Sequence, residues 1–228
     1  MSLHLHPDVD QGTPEWDALR LGIVTASVVG QLITPSTMKP ARNTETRALT
    51  ALLAAERING WADESYVGRD MERGWDDEPH AIEAYEAMRD VTVDPLGFMV
   101  RDDWGFRLGY SPDGLVGKDG LIEVKSRRPK KHLQTVLADS VPAENMAQIQ
   151  TGLLVSGRDW CDYISYCGGM NLWVKRVEPD TQWQSAIVAA VQAFEDAVTV
   201  MTATYIGAVV GYPMTERIDH NTVELKLA

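Results

Sequence analysis

Gly109-Tyr110-Ser111-Pro112-Asp113-Gly114, followed shortly by Leu121-Ile122-Glu123-Val124-Lys125, is the stretch on which the reading of this chain turns. In a strand, successive side chains point to opposite faces. A strand over 120–126 therefore puts Leu121, Glu123 and Lys125 on one face and Ile122 and Val124 on the other. The second face is apolar and suits a core. The first sets a carboxylate beside an ammonium about 7 Å away, from the rise of two strand residues. Pro112-Asp113-Gly114 is turn-forming. A strand over 105–110 followed by that turn brings Asp113 next to Glu123.

Two carboxylates and a lysine in this arrangement suit phosphodiester hydrolysis. Asp113 and Glu123 are hard oxygen ligands for Mg²⁺, with Mn²⁺ as a substitute. Such a metal activates water and neutralises phosphate charge. Lys125 can orient the attacking water and stabilise developing negative charge. Immediately after it come Arg127, Arg128, Lys130 and Lys131, with His132 next: a basic cluster suited to DNA phosphates, or equally a solvated basic face.

Working outward, Thr13-Pro14 begins a helix that runs to Arg20, with Thr13 as N-cap. Thr25-Ala26-Ser27 is expected to begin a second helix, through Ile33. Residues 44–59 and 70–89 read as further amphipathic helices. Val91-Thr92-Val93, 98–101, 105–110 and 120–126 read as strands. Residues 130–138 and 142–156 return to helix, 160–167 and 171–178 to strand, and 180–204 to a long final helix. Helices followed by strands interrupted by helices predict an α/β fold with a central mixed β-sheet flanked by helices. We expect one domain over 1–228, with N-terminal helices over 13–90, a sheet core over 91–178 and a helical tail over 179–228.

The 228 residues are 44% hydrophobic, enough for a substantial core. No apolar run approaches the roughly 18 residues of a membrane span. The N-terminus lacks the pattern of a secretion signal. The expectation is a cytoplasmic protein with no membrane partner, whose Cys161 and Cys167 stay reduced as small apolar residues. Four cysteine ligands for an iron–sulfur cluster are not available. The net charge of −12 argues against a protein that simply coats nucleic acid, but not against one with a single basic groove. His4 and His6 read as part of a loose terminus, and the scattered tryptophans as core or subunit contacts.

The run from Gln11 to Ser27 (Gln-Gly-Thr-Pro-Glu-Trp-Asp-Ala-Leu-Arg-Leu-Gly-Ile-Val-Thr-Ala-Ser) closely resembles the N-terminal block of the lambda-type phage alkaline exonucleases. Ser111-Pro112-Asp113-Gly114, Glu123-Val124-Lys125 and Met146-Ala147-Gln148-Ile149-Gln150 resemble three further blocks, in family order. The resemblance implies a restriction-endonuclease-like PD-(D/E)xK core. It also implies a metal site formed by Glu78, Asp113, Glu123 and the Val124 carbonyl, holding two ions. Lys125 then resembles the catalytic lysine and Gln148 the glutamine that positions the nucleophile. Asp76 and Asp77 compete with Glu78 for the helix position. Arg20 and Ser27 match residues that hold the 5′-phosphate, and Met71 falls near the residue that wedges between bases. The arginine that the lambda pattern places right after a proline is missing after Pro35, leaving Lys39 or Arg42 in its place. The implied activity is processive 5′→3′ degradation of one strand of linear duplex DNA, leaving 3′ tails. A homotrimeric ring, a single-strand annealing partner, and a phage or prophage origin in a bacterial host are implied with it.

Two rival readings stay open at this point. A related endonuclease keeps Asp113, Glu123 and Lys125 but gives Arg20 and Ser27 no task. A non-catalytic DNA-binding module on the same fold needs none of the three.

Overall fold

The computed structural model describes residues 2–62 and 68–217; the end of the tail lies outside the described residues. Strand β1 (Leu3–His6), helix α1 (Pro14–Arg20) and strand β2 (Val24–Thr25) come first. A 3-10 turn (Val29–Leu32) leads into the short hairpin β3 (Ile33–Thr34) and β4 (Lys39–Pro40). Helices α2 (Thr44–Asn59) and α3 (Arg69–Arg89) follow. Then come β5 (Val93–Asp94), β6 (Phe98–Arg101), β7 (Leu108–Tyr110), β8 (Gly114–Val116) and β9 (Gly120–Ser126). The chain closes with α4 (Pro129–Ala138), α5 (Ala143–Ser156), β10 (Trp160–Tyr166), β11 (Trp173–Val177) and α6 (Thr181–Ala208).

The expected mixed α/β architecture is present, with the strands divided between two larger sheets. One has the order β1-β6-β7-β2, the other β11-β10-β9-β8-β5. The division falls at Ser111-Pro112-Asp113, between β7 and β8. Pro112 has no N–H to give to a ladder, so the chain leaves the first sheet there and enters the second. The strand that pairs with β9 is consequently β8, in the register Gly114↔Ile122, and not the expected strand over 105–110. Strands β9 and β10 run parallel, Tyr163 opposite Glu123 and Ser165 opposite Lys125, and α4 and α5 form the crossover between them.

The two faces of β9 sort as the alternation predicts. Ile122 and Val124, with Ile164 of β10, pack on Ala81 and Tyr85 of α3. Leu121, with Cys161 and Tyr163, joins the main core, which draws Val24, Leu32, Leu53, Ile149, Leu153, Ile187 and Phe194 from both ends of the chain. Both cysteines are buried and unpaired.

Two local expectations are corrected. Thr25-Ala26-Ser27 does not start an α-helix. Val24 and Thr25 pair with Leu108 and Gly109, and the Ala26 N–H goes to the Gly109 carbonyl, so sheet pairing claims the segment before a helix can form. The N-terminus is not loose either: β1 pairs antiparallel with β6, and His4 Nε2 lies 3.2 Å from Asp102 Oδ2.

By length and composition α6 could cross a membrane. It instead lays Ala186, Ile187, Ala190, Val191 and Phe194 into the core and carries Glu195, paired with Arg57, in its middle.

Candidate metal and phosphate site

Asp113 stands immediately before β8, and the register places it opposite Glu123. Its Oδ2 accepts the Val124 N–H at 2.6 Å, which fixes the carboxylate against the edge of β9. The N–H and C=O of one strand residue point to the same side. The Val124 carbonyl therefore faces the same edge, just past the end of β8. Glu123 is fully buried. Its Oε1 accepts from Lys125 Nζ at 2.5 Å, and its Oε2 is buried with no hydrogen-bond partner.

Glu78, on α3, brings a third carboxylate. Burial pushes its pKa up, and Glu123 pushes it further against the pull of Lys125. Asp113 is driven well above the usual carboxylate range, first by burial, then by Glu123; Lys125 opposes the shift and Glu78 adds to it. Burial would lower the Lys125 ammonium, but Glu123 and Asp113 outweigh it and hold it charged. Three carboxylates thus crowd one lysine in a poorly solvated space, with one oxygen unpartnered. Among the described residues no group of three His, Cys, Asp or Glu side chains is arranged to hold a metal ion. The chemistry of the donors nonetheless fits a divalent cation: hard oxygens, excess negative charge and an orphaned carboxylate oxygen. Asp76 is exposed, and Asp77 accepts from Ser126 Oγ at 2.6 Å, so of the three neighbouring acidic residues it is Glu78 that senses Glu123.

The N-terminal block meets this site through tryptophan. Trp16 Nε1 donates to Ser111 Oγ at 2.8 Å, and Gln11 Nε2 to the Pro112 carbonyl at 3.3 Å, so the segment clamps the loop that carries Asp113. Arg20 lies over the Trp16 ring, 3.8 Å from its centroid. Burial lowers its pKa, with Asp17 and Glu56 pulling the other way. The peptide at Gly22 is gripped on both sides: its N–H by Glu56 Oε2 at 2.8 Å, its carbonyl by Arg57 Nε. Ser27 is exposed, its Oγ 3.1 Å from Thr25 Oγ1. Ser27 lies between β2 and the 3-10 turn rather than at the start of an α-helix.

The basic cluster divides. Arg128 pairs with Asp70, and Lys131 with Glu144. Lys130 is exposed. Arg127 turns inward, its Nη2 donating to Asn145 Oδ1 at 2.7 Å and to the Tyr163 hydroxyl at 3.0 Å. Gln148 is half-buried on α5, three residues after Asn145 and so on the same side of the helix. Met71 is exposed at the start of α3. Sequence reasoning missed the Trp16–Ser111 bond and the Asp77–Ser126 bond. Each joins residues far apart in the chain, and neither has a local pattern.

With the geometry established, comparison with known proteins is informative. Residues 15–159 match the model of the YqaJ-like viral recombinase domain. No curated protein sequence matches. An alkaline exonuclease (LHK-Exo) from Laribacter hongkongensis is 30% identical, with 87% of this chain and 98% of that chain covered and a TM-score of 0.77. Its structure in complex with dAMP gives a TM-score of 0.78 at the same identity and coverage. A phage-related exonuclease from Haemophilus somnus 129PT shares the fold at 12% identity, with 80% of this chain and 96% of that chain covered and a TM-score of 0.64. The chain therefore has a PD-(D/E)xK-type α/β fold and belongs to the YqaJ-like viral recombinase family, of the lambda-exonuclease type.

Proposed function

We propose that this chain is a Mg²⁺-dependent 5′→3′ exonuclease that degrades one strand of linear duplex DNA processively, leaving 3′ tails for recombination by strand annealing. Membership of the family carries a nuclease role in recombination. The metal, polarity, processivity and single-domain organisation are our reading. The observation that carries it is the pairing of half-buried Asp113 with buried Glu123, whose second oxygen is unpartnered and against which Lys125 is held charged.

In this reading Asp113, Glu123, Glu78 and the Val124 carbonyl hold the metal, two ions per site, with Mn²⁺ able to substitute. When bound, the metal supplies Lewis acidity to the scissile phosphate and lowers the pKa of water. Asp113 is kept at the β9 edge by the Val124 N–H, beside Glu123. Lys125, shared with Glu123, can turn a proton of its ammonium toward the phosphate oxygens. Gln148 orients the attacking water from α5.

Arg20 and Ser27 receive the 5′-phosphate. The Trp16–Ser111 bond supports this role, because it couples the Arg20 segment mechanically to the Asp113 loop. Arg127, Arg128, Lys130 and Lys131 line the DNA path, with Arg128 and Lys131 exchanging their carboxylate partners for phosphates, and Met71 abuts the terminal base pair. A homotrimeric ring and an annealing-protein partner in a bacterial host complete the proposal.

The test is degradation of equal-length linear and closed-circular duplexes with Mg²⁺, with 5′-phosphate and 5′-hydroxyl ends compared. Loss of the linear duplex alone, faster from the phosphorylated end, is expected. Cleavage of the circle would instead favour an endonuclease.

A further inference from the structure

We propose that Asp77 is a positioning residue: its hydrogen bond with Ser126, braced by Arg73, sets the turn of α3 that presents Glu78 to the Asp113–Glu123 pair. The inference rests on the metal-site reading above and adds the device that holds one of its ligands in place.

Helix α3 runs unbroken through Pro79. Proline has no N–H for the carbonyl four residues earlier, that of Trp75, so the helix lacks one hydrogen bond there. The two parts are held differently. After Pro79, Ala81 and Tyr85 are buried and Ile82 is packed against the sheet. Before it, Met71 is 47% and Trp75 58% exposed, and among the described residues none from 69 to 78 joins a hydrophobic cluster. The part that ends in Glu78 is therefore tied down by polar contacts. Ser126 Oγ donates to Asp77 Oδ2 at 2.6 Å and accepts from Arg73 Nε at 2.9 Å. Arg73 Nη1 donates to Asp70 Oδ1 at 2.6 Å, and Arg128 reaches the same oxygen from the start of α4.

The location gives this contact its consequence. Ser126 follows Lys125 directly and shares its strand face with Ile122 and Val124, the face that looks toward α3. Asp77 immediately precedes Glu78. The Asp77–Ser126 bond thus fixes α3 to β9 at the residue before Glu78 and the residue after Lys125.

The experiment measures Ca²⁺ binding to the DNA-free full chain by calorimetry, and the Mg²⁺ dependence of linear-duplex degradation alongside it. Ser126→Ala and Asp77→Ala are each expected to weaken Ca²⁺ binding about tenfold, the lower end of what lost support of metal ligands costs. Both should raise the half-saturating Mg²⁺ concentration to match and recover most of the maximal rate at high Mg²⁺. The double variant should be no worse than either single one, because both remove the same bond. Ser126→Thr keeps the hydroxyl and should behave as the unaltered chain. Unchanged Ca²⁺ affinity in Ser126→Ala, or a lower maximal rate at unchanged metal dependence, would overturn the proposal. Ser126→Ala carries the test should Asp77→Ala fail to fold. Asp113→Asn separates the two levels: if it leaves metal binding intact the site itself is misread, whereas if it abolishes binding and Ser126→Ala has no effect, only the positioning role is lost.

Discussion

Replacing Asp113 with Asn should remove activity and make the metal-free protein more stable. Asp113 is a half-buried carboxylate opposite Glu123, and desolvation and that neighbour both disfavour its charge. Asn keeps an oxygen for the Val124 N–H and turns an amide donor toward Glu123, whose Oε2 has no partner. A new hydrogen bond to a charged, buried acceptor contributes about 1.5–3 kcal/mol. For a chain of this size each kcal/mol shifts the thermal midpoint by about 2–4 °C. The metal-free Asp113→Asn protein should therefore melt roughly 3–12 °C higher. Stability gained by removing an active-site charge marks a site strained for function. In Mg²⁺ the difference should close or reverse: metal at about a hundred times its Kd adds about 2.7 kcal/mol to the unaltered chain, against the variant's gain of about 1.5–3 kcal/mol, and nothing to the variant. Scanning calorimetry with chelator and with Mg²⁺ measures both, beside a linear-duplex assay in which activity falls more than a hundredfold. A variant that melts lower without metal, yet still gains stability from Mg²⁺, would refute the reasoning.

Glu78 and Asp113 both have raised pKa values, so in the metal-free protein their contribution to stability is complete below the ordinary carboxylate range and is lost as pH rises through the raised values. The metal-free melting temperature should accordingly fall as pH rises from acid, less so in Asp113→Asn, while the stabilisation by Mg²⁺ grows over the same range; a flat dependence in both would contradict it. Arg20→Ala should cost about 1.5–3 kcal/mol of 5′-phosphate recognition, a charge-assisted contact, seen as tenfold or greater loss of preference for phosphorylated ends with the rate on 5′-hydroxyl ends little changed. Gly152→Ala would set a Cβ 2.7–3.0 Å from three ring carbons of Tyr110, and urea unfolding should show a loss of about 1–3 kcal/mol from overpacking.

What the sequence revealed, and what it hid, follows the range of the interactions. The alternation over Leu121–Lys125 was readable because strand geometry is local, and so were the α1 cap at Thr13 and the boundaries of α2 and α3. Thr25-Ala26-Ser27 misled because it has the composition of a helix start while its hydrogen bonds are claimed by Gly109, far along the chain. Strand β1 was missed because Leu3–His6 has too few residues to display a pattern, and its pairing partner is Phe98–Arg101. The carboxylate pair was legible in outline, since Asp113 and Glu123 flank one hairpin. Glu78 could not be separated from Asp76 and Asp77 by spacing alone; only the packing of α3 on β9 turns Asp77 to Ser126 and exposes Asp76.

The main core joins Val24, Leu32, Leu49 and Leu53 from the first quarter of the chain to Ile187, Ala190, Val191 and Phe194 of the last helix. A chain emerging from the ribosome meets Leu108, Tyr110, Ile149 and Leu153 of this core first, but its N-terminal residues stay incompletely packed until α6 has been made. The Asp113–Glu123 hairpin, by contrast, closes over a few residues and can form while synthesis continues. The nascent protein should therefore form its Asp113–Glu123 hairpin early but complete the core around its N-terminal segment only with α6, and a message truncated before α6 should yield a product disposed to aggregate.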